Sequence, residues 1–164
     1  MVYGCGVTTI AADKIPEVDV TQQIERSALI ACSSRQMFDL VNDIESYPKF
    51  MNGCVGARVL ERHKDCIVAK LDLSRMGMSY SFTTRNVLLE PAAMDMQLVE
   101  GPFKFFSGLW QFQELAPDAC KVCLSLEFEF ANSLVSKAAG KWFESIANEL
   151  VDGVCRRANH LYKR

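Results

Sequence analysis

From about Asn132 to Tyr162 the chain reads as one long amphipathic helix, and an apolar stripe of that length needs a large apolar partner. Ala139, Phe143, Ile146, Leu150, Val154 and Leu161 recur at intervals of three, four or seven residues, which places them on one face. Ala147, Val151 and Ala158 widen the stripe, while Lys141, Glu144, Asn148, Asp152 and Arg156 fall on the opposite side. Asn132 or Ser133 offers the short side-chain oxygen that an N-cap needs. Arg156, Arg157, Lys163 and Arg164 lie toward the C-terminus, where cations suit the helix dipole.

The partner is sought in the chain before the helix, where the apolar period is two. Residues 1–17 show no period and are expected to form an N-terminal arm, with residues 18–164 as one domain. Val18 to Ile30 alternates through Val20, Ile24, Ala28 and Ile30 and predicts a first strand. Ser33-Ser34-Arg35-Gln36 is a capping box, and Met37, Leu40, Val41 and Ile44 give the helix after it a buried stripe. Tyr47-Pro48 ends that helix, because a residue before proline avoids the helical region, and Pro48 can open a second short one. Six strands then follow. Ala57 to Arg62 is the first; Ile67, Ala69, Leu71 and Leu73 mark the second. Met78, Tyr80, Phe82 and Leu88, with Thr84 and Asn86 in the same phase, mark the third. Met94, Met96 and Leu98 mark the fourth, and Phe106, Gly108, Trp110 and Phe112 the fifth. Val122, Leu124, Leu126, Phe128 and Phe130 mark the last. Short turns between strands point to an antiparallel meander covered on one face by the long helix. Because such a sheet curls, an apolar cavity between sheet and helix is expected.

Composition excludes several classes of function. The formal net charge is −2 and the sequence pI about 5.7, so no general electrostatic pull toward nucleic acid or anionic lipid is expected, and no DNA partner. No apolar run reaches the roughly 18 residues of a membrane span. The first residues lack a basic segment, so no secretory signal is expected and the chain is placed in the cytoplasm, with a peripheral position at the inner membrane as an extension of that placement. Seven scattered cysteines suit reduced packing thiols. Cys120 and Cys123 would point to opposite faces of a strand, so no metal site is expected there.

Several segments, in this order, resemble one family. They are Met37-Phe38-Asp39-Leu40-Val41, Asp43-Ile44-Glu45-Ser46-Tyr47-Pro48 and Phe82-Thr83-Thr84-Arg85-Asn86, then the most distinctive, Leu98-Val99-Glu100-Gly101-Pro102-Phe103-Lys104, with Gly108-Leu109-Trp110 after it. Leu126-Glu127-Phe128-Glu129-Phe130 and Val151-Asp152-Gly153-Val154-Cys155 complete the set. The chain resembles the bacterial RatA and mitochondrial coenzyme-Q-binding proteins of the START-like, polyketide cyclase and lipid transport superfamily. It departs from them at Asn52-Gly53-Cys54, where the family pattern reads Pro-Trp-Cys. The resemblance implies an α+β helix-grip fold: a curved antiparallel sheet of about seven strands wrapped on a long C-terminal helix, with two short helices after the first strand. It also implies binding in place of chemistry, either of ubiquinone in support of respiration or of the large ribosomal subunit so as to block subunit joining.

The inward residues are the expected ligand-binding wall. Phe82, Met94, Met96 and Leu98 come from the middle strands, Phe106, Trp110, Phe112 and Phe128 from the last two, and Phe143, Ile146 and Leu150 from the helix. Tyr47, Arg85, Glu100 and Lys104 are the expected polar groups at the mouth, with Glu100 continuing the inward phase of Met94, Met96 and Leu98. Two basic clusters could meet phosphates: Arg156, Arg157, Lys163 and Arg164, and Arg58, Arg62 and Lys64. His63 and His160 have no nucleophile beside them in sequence, and no glycine-rich phosphate loop follows a strand, so no catalytic residue is expected. The expectation is therefore a carrier of a hydrophobic prenylated ligand, ubiquinone first, that requires no cofactor and touches a membrane surface transiently. A ribosome-association inhibitor ranks second and a cyclase-like enzyme third.

Overall fold

The computed structural model describes residues 21–132 and 136–163. Seven strands form one antiparallel sheet: β1 (Gln22–Ile30), β2 (Cys54–Arg62), β3 (Cys66–Arg75), β4 (Met78–Leu89), β5 (Ala93–Glu100), β6 (Phe103–Ala116) and β7 (Ala119–Phe130), in the spatial order β1-β7-β6-β5-β4-β3-β2. Strands β2 to β7 are the meander read from the alternation, and β1 closes the far edge against β7. Helix α1 (Ser34–Asn42) follows β1, a 3₁₀ helix spans Ile44–Lys49, and α2 (Ser136–Tyr162) ends the fold. This is the helix-grip architecture. The expected arm, Val18 and Val20 lie outside the described residues.

The capping box forms as read. Ser33 Oγ accepts from the Gln36 backbone N–H at 3.1 Å, and Gln36 Oε1 accepts from the Ser33 N–H at 2.9 Å. Pro48 does not open a separate helix; it sits inside the 3₁₀ helix, whose missing donor there costs less than in an α-helix interior. Glu45 then reaches sideways, and its carboxylate accepts from the Val59 N–H of edge strand β2 at 3.1 Å. One orphan donor of that edge is satisfied in this way.

Helix α2 crosses the concave face. Ala139, Val154 and Ala158 are fully buried, with Phe143, Ile146, Ala147 and Val151 between them. The alanines let the helix approach β1 and β7 closely. Gly140 goes further, since a Cβ there would lie 2.0 Å from Gln22 Oε1. The stripe departs from expectation at two places: Leu150 is half-buried, and Leu161 is exposed, with Ala158 and Tyr162 turned to the core in its stead. The helix is described from Ser136 onward, and residues 133–135, through which either N-cap choice would join it, lie outside the described residues. On the strands, Cys120 is buried and Cys123 faces outward, opposite Ser27, as a spacing of three requires.

Register irregularities bend the sheet around the helix. They interrupt β2 against β3 at Cys54/Gly56 and Val59/Glu61, β4 against β5 at Thr83/Thr84, and β6 against β7 at both ends. The first explains why β2 begins three residues before the alternation at Ala57 becomes legible.

Candidate functional site: an apolar cavity under the long helix

Between the sheet and α2 lies an apolar cavity of about 50 Å³. Its wall is built from strand residues that alternate inward and from the α2 stripe. Of the residues expected to form a ligand wall, Phe82, Met94, Met96, Phe106, Trp110, Phe143, Ile146 and Leu150 line it. Leu98, Phe112 and Phe128 do not. Phe112 packs at the α1 end, edge-on to Phe38 with centroids 5.9 Å apart and parallel to Trp110 at 6.1 Å. Phe128 is fully buried in a cluster of rings with Phe103, Phe130 and Phe143, its centroid 4.8 Å from that of Phe143. That cluster, joined by Phe82 and Phe106, fills one end of the space under α2 and limits the cavity to its middle.

Three of the four expected mouth residues lie elsewhere. Glu100 is on the convex face, directly across from Thr83. The bulge between Thr83 and Thr84 places Leu98 opposite inward-facing Thr84 but Glu100 opposite outward-facing Thr83, so the phase of β5 reverses before its last residue. Arg85 also faces outward, across from Val68 and Gln97, with its guanidinium 3.6 Å from Cys66 Sγ. Lys104 is exposed and pairs with Glu129 at 3.5 Å. Tyr47 does reach the cavity wall, but its hydroxyl donates to the Val41 carbonyl at 2.5 Å. Burial pushes its phenol far above the ordinary range, so the ring is a neutral wall element tied to α1.

The polar groups that line the cavity beside Tyr47 are Thr84 and Asn86. Both are buried, and the Thr84 hydroxyl donates to Asn86 Oδ1 at 2.8 Å. Their signal in the sequence was two polar side chains in the phase of Phe82 and Leu88. At the start of β2, Cys54 precedes the Gly56 bulge and donates its thiol to the Gly56 carbonyl at 3.3 Å; burial pushes that thiol up to about 11. Gly53, which stands where the family pattern has tryptophan, has φ +98 and lies against Ile146 of α2. A side chain is strained at that φ, so the local backbone here is built for glycine.

A cavity of this size holds a few water molecules at most. Pockets that enclose small organic ligands run to roughly 300–1,000 Å³. A larger guest would have to displace the partly exposed wall formed by Leu71, Met96 and Leu150. The histidines stand apart from this site: His63 is exposed and lies 3.4 Å from Glu61, and His160 is exposed in the last turn of α2.

The two basic clusters differ in how their charges are used. In the C-terminal cluster Arg156 pairs with Glu149, and Arg157 is half-buried. In the β2 cluster Arg58, Arg62 and Lys64 are exposed, and Lys70 of β3 stands directly across from Arg58. Among the described residues, none of these four is in an ion pair.

Comparison with known proteins agrees with this architecture. Residues 30–155 match the family model described as polyketide cyclase/dehydrase and lipid transport. The ribosome association toxin RatA of Vibrio cholerae is 45% identical over 141 residues, which cover 86% of this chain and 98% of the relative. The mitochondrial coenzyme Q-binding protein COQ10 homolog B of Xenopus laevis is 23% identical over 146 residues, 87% of this chain and 60% of the relative. Among solved structures, the Zhui aromatase/cyclase from a Streptomyces superimposes with a TM-score of 0.77 at 16% identity, covering 85% of this chain and 94% of that one, a likeness of fold. The chain therefore belongs to the polyketide cyclase/dehydrase and lipid transport family, with the ribosome association toxins among its relatives.

Proposed function

We propose that this protein acts by associating with the ribosome, binding the large subunit and hindering subunit joining. The observation that carries this reading is the 45% identity to a ribosome association toxin along nearly the whole of both chains. The small size of the cavity supports it: with about 50 Å³ inside, the protein as it stands offers a partner its surface. The contact is assigned to the β2–β3 edge, where Arg58 and Lys70 face each other across the strands on the outward side of the sheet. Like charges directly opposite one another destabilise a sheet, and a phosphate between them relieves that cost. The test is sedimentation of the purified protein with isolated large subunits across a salt series. Binding should fall steeply as salt rises. It should be lost in the Arg58→Glu, Lys70→Glu double variant. Pelleting that is insensitive to both would remove this face from the reading.

A second reading rests on a different observation, the Thr84–Asn86 pair set in an otherwise apolar wall. It is the binding of a hydrophobic ligand with a polar head, such as a quinone, after the wall at Met96 and Leu150 moves outward. Organic extraction of protein purified from its native host, read by mass spectrometry, tests it. A stoichiometric prenylated quinone supports ligand binding; protein that extracts empty and takes up no added ubiquinone removes it.

A further inference from the structure

The turn between β3 and β4 carries a residue that its backbone does not favour. Arg75 and Met78 close a two-residue hairpin turn, and both residues between them have positive φ, +53 at Met76 and +77 at Gly77. Such turns are the province of asparagine, aspartate and glycine, because an unbranched apolar side chain gains nothing in the left-handed region and pays its steric cost. Among the described residues Met76 is the only non-glycine with positive φ in the structure, and it is also the most exposed large apolar side chain, at 88%. An apolar residue that is both strained and solvated contributes nothing to the fold there, and strain of this kind points to use.

The surroundings of the tip say what that use is. Met76 and Met78 share an apolar surface with Ala138 and Trp142 of α2. Trp142 Nε1 donates to the Arg75 carbonyl at 2.8 Å, so the tip is anchored on the helix and does not hang free. The flanking charges are cationic: Arg75 on the hairpin, Lys141 beside Trp142, and exposed Lys137 one turn before it on the same face of α2. Glu144, the nearest acid along α2, lies one turn farther on. A protruding, anchored methionine within a ring of cations is complementary to an anionic bilayer, where the apolar tip enters the headgroup boundary and the cations meet lipid phosphates.

We propose that the β3–β4 tip docks this protein on anionic membrane surfaces, with Met76 as the inserted residue and Arg75, Lys137 and Lys141 as its electrostatic collar. This goes beyond ribosome association and does not depend on it, since the tip and the Arg58–Lys70 edge are separate surfaces.

The test is sedimentation of the full chain with vesicles of phosphatidylcholine alone and with vesicles that also contain phosphatidylglycerol. The protein should pellet with the second and not the first, and added salt should release it. Met76→Asn suits the left-handed turn, so its thermal midpoint should equal or exceed that of the parent while vesicle partitioning falls by about tenfold. Lys141→Glu should weaken partitioning by at least about fivefold. No pelleting with phosphatidylglycerol vesicles at low salt overturns the proposal, as does a Met76→Asn protein that partitions like the parent. If Met76→Asn instead impairs sedimentation with large subunits while vesicle binding is absent, the tip is a ribosome contact and the membrane assignment falls.

Discussion

Thr84 donates its hydroxyl to the side-chain oxygen of Asn86, 2.8 Å away on the same face of β4, and both are buried against the cavity. A polar pair in an apolar wall stays cheap only while each member has its partner. Thr84→Val keeps the shape and removes the donor, which should cost about 1–3 kcal/mol by leaving the Asn86 oxygen unsatisfied. Adding Asn86→Leu should recover most of that loss. Urea unfolding of the three proteins checks it, and a single variant as stable as the parent would show that the pair is not closed in solution.

The aromatic cluster gives a sharper expectation for Phe128. Because it is fully buried among Phe103, Phe130 and Phe143 and does not line the cavity, Phe128→Ala should destabilise by about 3–5 kcal/mol. Its effect should appear in the unfolding midpoint and not in the uptake of hydrophobic ligands by protein that remains folded.

Position along α2 sets the cost of a buried charge. Val154 has no exposure, whereas Leu150 is half-buried at the cavity wall. Val154→Asp should cost more than about 4 kcal/mol, and Leu150→Asp distinctly less, because its carboxylate can turn to water. Thermal midpoints in the reverse order would mean that α2 is rotated from the register described.

Stability should fall at alkaline pH. Burial pushes the Cys54 and Cys120 thiols from 9.0 up to about 11. In the folded protein they therefore hold their protons to higher pH than in the unfolded chain. Their contribution is complete below about 9, declines as pH rises, and is gone once the folded thiols ionise near 11. Midpoints measured from pH 8 upward should drop across that window, and Cys54→Ser with Cys120→Ala should flatten the drop.

What the sequence revealed follows the range of the forces involved. Strand faces, the Ser33–Gln36 box and the α2 stripe depend on residues a few positions apart, and a linear reading found them. The face of Glu100 is decided by a bulge opposite Thr83 and Thr84, a property of two paired strands that alternation along one strand does not carry. The residue type of Tyr47 suits a mouth, whereas its bond to the Val41 carbonyl is a tertiary contact that the sequence does not carry. Thr84 and Asn86 were read on the correct face yet not as a site, since alternation reports direction and not what a side chain meets there. How far the cavity closes was illegible for a related reason: it depends on how the phenylalanine rings interlock, and patterning fixes only that they point inward.

Association with the ribosome through the β2–β3 edge can be read out in subunit joining. Purified small and large subunits are mixed under conditions that favour joining, with and without the protein, and resolved on a sucrose gradient. The protein should migrate with the large subunit and raise the fraction of unjoined subunits, and the Arg58→Glu, Lys70→Glu protein, folded to the same thermal midpoint, should do neither. Full joining in the presence of excess protein, with none of it on the large subunit at low salt, would contradict it.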